Sequence, residues 1–145
     1  NAPAMPQFDL SAFLPYRLAV ASARVSKDFA DRYRAEFGLS IPEWRVLAHL
    51  AGGDAVSVRE IHARVDMDKS KVSRAAARLE SAGLIEKRES AVDRRLLDMR
   101  LTPQGHDLIG RIMPIADRFQ SDLETRLGAD AAPFRRALRA LLGEE

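Results

Sequence analysis

Cysteine is absent from all 145 residues of the sequence. This absence excludes disulfides, thiolate nucleophiles, cysteine–zinc sites and thiol-based redox sensing. No apolar run approaches the ~18 residues that a membrane-spanning helix needs, and no basic-then-apolar segment opens the sequence. The composition, with 46% hydrophobic and 30% charged residues, is that of an ordinary globular domain with a core. We therefore expect a cytoplasmic protein.

Patterns typical of enzymes are also missing. The sequence contains no P-loop, no glycine-rich phosphate loop and no nucleophile motif. Its three histidines, His49, His62 and His106, fall on three different predicted helices and lack the spacing of metal ligands. We therefore expect no catalytic activity, no metal site and no cofactor.

Charge is nearly balanced over the whole chain, at a net value of +2, but it is unevenly distributed. Residues 69–100 carry nine basic and five acidic side chains, which gives this segment a net charge of +4. A local basic surplus on a nearly neutral chain is typical of a surface that binds a polyanion. A solvated charged face explains the same charge equally well, so charge alone leaves both interpretations open.

A long amphipathic helix is predicted over residues 10–37, after an arm of residues 1–9 that we expect to be disordered. Pro15 is compatible with the first turn of this helix, and Gly38 predicts its end. A helix of this length usually packs on more than its own domain, which indicates an oligomer. Its apolar residues recur at the helical steps of three and four: Leu14, Leu18, Ala21, Val25, Phe29, Tyr33 and Phe37.

Three shorter helices are predicted next. Ser40 and Glu43 form a capping box that opens the first, whose apolar face contains Trp44, Leu47, Ala48 and Ala51. After a short strand at Val56, Ser57 and Glu60 form a second capping box for a helix over residues 58–65, with Val58, Ile61 and Val65 inward. Asp68 caps a helix over residues 69–82. Two short helices joined by a tight turn predict a helix-turn-helix.

The helix over residues 69–82 has two distinct faces at 100° per residue. Its apolar side contains Val72, Ala75, Ala76 and Leu79. Its opposite side is small, hydroxylic and basic, and contains Ser70, Ser73, Arg74, Ala77 and Ser81, with Lys71 and Arg78 on the edge. Such a face fits a DNA major groove, where serine and arginine address base edges. An exposed helix face with incidental positive charge is the alternative interpretation.

A β-hairpin with a basic tip is predicted after Gly83, with strands over residues 84–89 and 96–101. The polar loop between them, residues 90–95, ends in Asp93, Arg94 and Arg95. Arginine at such a tip suits a narrow minor groove, whose negative potential attracts it. We expect Asp93 to orient the guanidinium of Arg95, which lies two residues on.

The C-terminal part predicts two further helices. Thr102 caps the first, which carries a long apolar stripe and which Pro114 is expected to kink or divide. A break at residues 128–130, with Asp130 as a cap, precedes a last amphipathic helix over residues 131–142. The apolar stripes of the first and last helices exceed what a small domain needs. Docked across a two-fold axis, they would form a dimer core.

About residues 10–142 resemble, in order and spacing, the MarR family of transcriptional regulators. The resemblance is carried by residues 39–47, 57–61, 69–74, 79–85, 93–95 and 101–105. It implies a mainly α fold with a small β-hairpin wing. A winged helix-turn-helix DNA-binding domain of residues 38–102 would be flanked by dimerisation helices of residues 10–37 and 103–145, as one compact unit overall.

The resemblance also implies a function. It implies a homodimeric, nucleoid-associated repressor that binds a pseudo-palindromic operator in double-stranded DNA and is released by a small aromatic or phenolic effector. By match to the family pattern, the base-reading residues are Ser70, Lys71, Ser73 and Arg74, and the wing pair is Asp93 and Arg95. Arg78 on the helix edge and Arg94 at the hairpin tip complete the predicted DNA-binding set.

Effector-binding candidates are assigned by region rather than by motif: Tyr16, Arg17, Trp44, Arg45 and His49. The oxidant-sensing branch of the family needs a cysteine near the start of its first helix, so the absence of cysteine excludes that branch. A winged-helix protein–protein interaction module without DNA binding is the alternative function. Such a module needs neither a basic wing tip nor a recognition face free of bulky apolar residues, so these features favour DNA binding.

Overall fold

The computed structural model describes residues 2–52, 56–64 and 67–144, without the side chains of Val58 and Arg64. Its contacts divide the chain into two compact units, Asn1–Ile41 and Pro42–Glu145. The C-terminal helices belong to the same unit as the winged part. The fold class itself is as predicted, mainly helical with one small antiparallel sheet.

The first unit contains a short 3-10 turn, Leu10–Ala12, followed by helix α1, Leu14–Phe37. The predicted single helix from residue 10 is therefore wrong at its start, because Phe13 is extended and separates the two segments. Pro15 explains the break: in a continuous helix its ring would clash with the carbonyl four residues earlier. Gly38 ends α1 as predicted, in the left-handed conformation with φ 67°.

The second unit begins with α2 and continues through the sheet and the remaining helices. In chain order its elements are α2 (Ile41–Leu50), β1 (Val56–Ser57), α3 (Val58–Arg64), α4 (Lys69–Ser81), β2 (Ile85–Glu89), β3 (Leu97–Leu101), α5 (Pro103–Leu127), a 3-10 turn (Gly128–Asp130) and α6 (Ala131–Leu142).

The buried face of α2 differs from the prediction. Only Leu47 of the predicted apolar face is buried, whereas Trp44 and Ala48 are half-buried and Ala51 is exposed. The observed buried residues are Glu43, Val46, Leu47 and Leu50. Glu43 lies on this face because a distant partner, Arg78 of α4, approaches its carboxylate. A buried carboxylate is tolerated when it is paired, and no pattern within α2 predicts that partner.

The sheet has the order β1-β3-β2, and both pairings are antiparallel. The predicted hairpin and the short strand at Val56 are confirmed, although β2 and β3 each begin one residue later than predicted. Met99 and Leu101 face the core, whereas Leu97 on the same side of the strand is 51% exposed. Burial along β2 also decreases towards the loop, so the hairpin extends beyond the core and Leu97 lies on the extended part.

Side chains from every layer of the second unit form its core. Fully buried members come from α2, α3, α4, β3 and α5: Val46, Leu47, Ile61, Val72, Leu79, Met99 and Ile112. Ile61 is inward as predicted. The predicted inward side chains of Val58 and Val65 lie outside the described residues.

In the C-terminal helices the structure excludes a division at Pro114 and departs from the predicted cap at Asp130. Helix α5 continues through Pro114, so the proline does not divide it. Asp130 precedes α6 but its side chain forms no capping hydrogen bond. A capping residue normally has an extended backbone, whereas Asp130 is already helical, with φ −80° and ψ −9°.

Candidate nucleic-acid interface

Two confirmed caps set the directions of α3 and α4. The hydroxyl of Ser57 accepts a hydrogen bond from the backbone N–H of Glu60 at 3.1 Å, at the start of α3. The carboxylate of Asp68 accepts from the backbone N–H of Lys71 at 2.8 Å, at the start of α4. Each side chain satisfies a backbone donor that the first helical turn leaves unpaired.

Helix α4 presents the two predicted faces. Its buried residues are Val72, Ala75, Ala76 and Leu79. Its exposed residues include the whole predicted recognition set on this helix: Ser70, Lys71, Ser73, Arg74, Ala77, Arg78 and Ser81. The exposed face therefore combines hydroxyls and cations without a bulky apolar side chain, a composition suited to a major groove about 12 Å wide.

The two arginines of this face differ in their surroundings. Nη1 of Arg78 lies 3.5 Å from Oε1 of Glu43, whose side chain is only 11% exposed. Arg74 is exposed and forms no ion pair within the described part of the chain. Arg78 therefore joins α4 to α2, whereas the guanidinium of Arg74 is presented to solvent.

The end of α4 is tied to the start of α5. Gly83 adopts the predicted left-handed conformation, with φ 76°, and directs the chain into β2. The hydroxyl of Thr102 donates to the carbonyl of Gly83 at 2.6 Å and accepts from the N–H of Gly105 at 3.1 Å. The N–H of Thr102 donates to the carbonyl of Leu84 at 3.1 Å. Thr102 is thus the predicted cap of α5 and also holds the turn after α4.

Hydrogen bonds, rather than packing, define the loop between β2 and β3. The hydroxyl of Ser90, a buried residue, accepts from the N–H groups of Val92 and Asp93, each at 3.2 Å. The N–H of Ser90 donates to the carbonyl of Leu96, and the N–H of Leu96 donates to the carbonyl of Asp93, both at 3.0 Å. Val92 is 98% exposed at the tip, so its side chain contributes no packing to the loop.

Asp93 orients Arg95 as predicted. Oδ1 of Asp93 accepts from Nε of Arg95 at 3.1 Å, and Oδ2 accepts from Nη2 at the same distance. Oδ1 also accepts from the backbone N–H of Arg95 at 3.0 Å. The bidentate pair holds the guanidinium in one orientation while the Arg95 side chain stays 88% exposed.

The same contacts shift the pKa values of both groups. Hydrogen bonds from the side chain and the backbone of Arg95 lower the pKa of Asp93 below its ordinary value of 3.8, and the positive charge of Arg59 lowers it further. The bond to Asp93 raises the pKa of Arg95. Both groups are therefore charged at neutral pH, so the tip presents a fixed cation.

Two residues at this surface were not among the sequence-predicted sites. Ser90 has a local signal, because a serine that opens a polar loop typically accepts from the backbone N–H groups two and three residues on. Arg59, in the first turn of α3, is exposed and close enough to Asp93 to affect its pKa. Nothing in the sequence predicts that proximity, because it arises from the packing of α3 against β3.

The effector candidates belong to different compact units. Tyr16 and Arg17 lie in the first turn of α1, where Nη1 of Arg17 donates to the carbonyl of Ser11 at 3.0 Å. Trp44, Arg45 and His49 are half-buried on α2. Their role in effector binding stays a prediction.

An open groove of about 470 Å³ lies in the second unit, beside the start of α5. None of the residues that line it was predicted as a site residue: Leu84, Pro103, Gln104, Asp107, Leu108 and Arg111. Among the described residues, no group of three or more histidine or acidic side chains could hold a metal ion. Within the described residues, none of the helices combines the length and the apolar composition that a membrane span requires.

Comparison with known proteins gives consistent matches over most of the chain. A family model described as "MarR family" matches residues 37–96. The HTH-type transcriptional regulator YdgJ of Bacillus subtilis is 27% identical over 106 residues, which cover 73% of this chain and 65% of YdgJ. This chain thus spans slightly less than two thirds of that relative.

Solved structures extend the similarity to the whole fold. The MarR family transcriptional regulator SPO1453 from Silicibacter pomeroyi DSS-3 is 31% identical, with a TM-score of 0.81 over 94% of this chain and 98% of that chain. The transcriptional repressor CouR, in a structure bound to a 23-mer DNA duplex, is 25% identical, with a TM-score of 0.79 over 97% of this chain and 99% of that chain.

Proposed function

The chain belongs to the MarR family of transcriptional regulators, and on this basis we propose that it is a homodimeric repressor of a pseudo-palindromic DNA operator. The observation that carries the proposal is the combination of the exposed polar face of α4 with the guanidinium of Arg95, which Asp93 fixes at the hairpin tip. The similar repressor CouR, whose structure contains a bound DNA duplex, supports DNA binding as the function of this fold.

Helix α4 is proposed to read the major groove. Ser70, Ser73 and Arg74 are exposed on one face, where hydroxyl and guanidinium groups can address base edges. Lys71, which is exposed near the start of the helix, is proposed to belong to the same base-reading set. Arg78 is proposed to contribute charge while its contact with Glu43 holds the helix.

The hairpin tip is proposed to enter the adjacent minor groove. A narrow minor groove concentrates negative potential and attracts an inserted arginine. The bidentate contact with Asp93 fixes Arg95 before binding, so less side-chain entropy is lost when the complex forms. Arg94 and Arg59 are proposed to add favourable charge near the same tip.

Exposed apolar side chains support a dimer. In the first unit, Leu14 and Leu18 of α1 are 71% and 42% exposed. In the second unit, Leu141 and Leu142 of α6 are each 68% exposed, and Phe134 lies on the same helix. Apolar surface that is exposed on helices is typical of surfaces that a partner covers. In a two-fold dimer, the same apolar surface is buried in both protomers.

A small aromatic or phenolic acid is proposed as the effector that releases the protein from DNA. On α2, Trp44 supplies a half-buried aromatic surface, and Arg45 supplies a cation for a carboxylate. The residues proposed to contact the effector are the five predicted by region: Tyr16, Arg17, Trp44, Arg45 and His49.

The DNA-binding proposal is tested with duplex DNA from upstream of the gene that encodes this chain. Electrophoretic mobility shifts at about 50 mM and about 200 mM salt should show tight binding that weakens steeply with salt, because phosphate contacts release counterions. Arg95→Ala should weaken binding, whereas Arg126→Ala, which removes an exposed arginine from α5, should not. A folded dimer that shifts no DNA at low salt would favour the protein–protein module instead.

The effector proposal has its own test. A thermal-shift screen should find aromatic carboxylates that raise the melting temperature, because a ligand that binds only the folded state stabilises it. Cyclohexanecarboxylate is the matched control for benzoate, since it keeps the charge and the size but lacks the aromatic ring. Equal shifts with both compounds, or none with either, would contradict an aromatic effector.

A further inference from the structure

We infer that Ser90 is the positioning residue of the DNA-contacting tip: its buried hydroxyl fixes the loop from which Asp93 holds Arg95. This inference deepens the proposed DNA-binding function and rests on it. It concerns a residue that touches neither the guanidinium nor, under the proposal, the DNA.

The loop depends on Ser90 because its tip has no core of its own. Ala91, Val92 and Arg94 are exposed, and Val92 is almost fully so. Without apolar burial, the loop keeps its shape only through its hydrogen bonds. The hydroxyl of Ser90 is the acceptor for two of these, the N–H groups of Val92 and Asp93.

The second of those contacts links Ser90 to Arg95. The N–H of Asp93 donates to the Ser90 hydroxyl at 3.2 Å, and the carboxylate of the same residue accepts both guanidinium hydrogen bonds at 3.1 Å. The position of the Asp93 backbone therefore determines where its carboxylate lies. Through that carboxylate it determines the direction in which Arg95 extends.

The backbone of Ser90 is also held by a hydrogen bond. Its N–H donates to the carbonyl of Leu96 at 3.0 Å, immediately before β3 begins, and the residue is only 6% exposed. The hydroxyl thus has a fixed position at the boundary between the sheet and the exposed tip. A fixed acceptor at the base of a loop restricts the loop as a whole, as in other serine turns.

Ser90→Ala removes the acceptor, so the N–H groups of Val92 and Asp93 turn to water and the loop adopts several conformations. We expect about five- to tenfold weaker DNA binding, the size of effect that the loss of one or two hydrogen bonds produces. Ser90→Thr keeps the hydroxyl and should retain binding within about twofold of the unmodified chain.

A double-mutant cycle with Arg95→Ala separates positioning from a general effect on the fold. Fluorescence anisotropy with the upstream duplex is measured for the unmodified chain, S90A, R95A and S90A/R95A. If Ser90 acts through Arg95, S90A should cost almost nothing once Arg95 is absent, because the two effects are not additive. A full loss from S90A in the R95A background would overturn the inference.

A second measurement needs no DNA. The Nε–H resonance of Arg95 in a ¹⁵N spectrum of the free protein should be resolved and slow to exchange, because Nε donates to Asp93. It should be lost or averaged in S90A and retained in S90T. An unchanged resonance in S90A would overturn the inference. If S90A loses this resonance and S90T retains it, but the unmodified chain binds no DNA, the proposed function is refuted. The role of Ser90 in positioning Arg95 is then retained.

Discussion

The hydroxyl of Thr102 donates a hydrogen bond to the carbonyl of Gly83 at 2.6 Å, which joins the turn after α4 to the first turn of α5. Because the same oxygen caps α5 by accepting from Gly105, one side chain holds both helix ends. The recognition helix is thus connected directly to one of the helices expected to form the dimer. A change in the direction of α5 would move the end of α4 with it.

Thr102→Val should lower the free energy of unfolding by about 1–2 kcal/mol, because it removes a helix cap and the bond to Gly83 while keeping the shape of the side chain. Urea denaturation followed by circular dichroism measures the change. Thr102→Ser keeps the hydroxyl and should remain close to the unmodified chain. A loss in Thr102→Ser as large as that in Thr102→Val would contradict a role specific to the hydroxyl, because serine keeps it.

Gly105→Ala should be destabilising by on the order of 1–3 kcal/mol, because a Cβ at this position would lie 2.1 Å from the backbone carbonyl oxygen of Leu84. Neither α5 nor the turn after α4 can relieve that overlap without moving. Gly110→Ala is the matched control in the same helix, since nothing lies within 4 Å of its Cβ. It should stabilise the protein by up to about 1 kcal/mol through helix propensity. Denaturation midpoints that shift equally for the two variants would contradict the close approach.

Arg74→Ala and Arg78→Ala should have different consequences, because only Arg78 approaches Glu43. Arg74→Ala should cost about 1–3 kcal/mol in DNA binding if Arg74 reads a base, with no change in stability. Arg78→Ala should lower stability by roughly 0.5–1 kcal/mol, because it removes one partner of a largely buried carboxylate. Combining it with Glu43→Gln should recover part of that loss. Paired titrations of DNA binding and urea unfolding distinguish the two arginines, and identical profiles would refute the distinction.

The Asp93–Arg95 pair should stay intact from about pH 5 to about pH 8, because hydrogen bonds from Arg95 lower the pKa of Asp93 below 3.8. A carboxylate with a lowered folded-state pKa contributes stability above its unfolded pKa. It loses that contribution only as the pH falls through the lowered value. Carboxyl ¹³C shifts should give a midpoint below 3.8 in the unmodified chain and a higher midpoint in Arg95→Ala. Equal midpoints would show that the pair does not form in solution.

Much of the candidate site was predictable from the sequence, because its helix caps, its helix faces and its Asp93–Arg95 contact involve residues close together in the chain. The caps at Ser57, Asp68 and Thr102 each involve a backbone donor three residues on, and all three are confirmed. The two faces of α4 follow from helical periodicity, and the Asp93–Arg95 contact spans two residues. Ser90 belongs to the same class, since its acceptor role also follows from a local turn.

The start of α1 and the buried face of α2 differ from the predictions for other reasons. Helix α1 begins at Leu14 rather than at residue 10, because a proline that is tolerated in a first turn also prevents the preceding segment from joining the helix. The buried face of α2 differs from the predicted one and includes Glu43, whose carboxylate contacts Arg78, 35 residues away in the chain.

The sequence by itself determined the end of α1, the starts of α3, α4 and α5, which side of α4 faces outward, and which carboxylate holds Arg95. These depend on backbone donors and side chains within about four residues, whose geometry secondary structure prescribes. Only the tertiary structure decided that Glu43 meets Arg78, that Thr102 holds Gly83, and that Arg59 lies near the wing tip. Each of these contacts joins elements distant in the chain, and their packing depends on the whole core rather than on any local pattern.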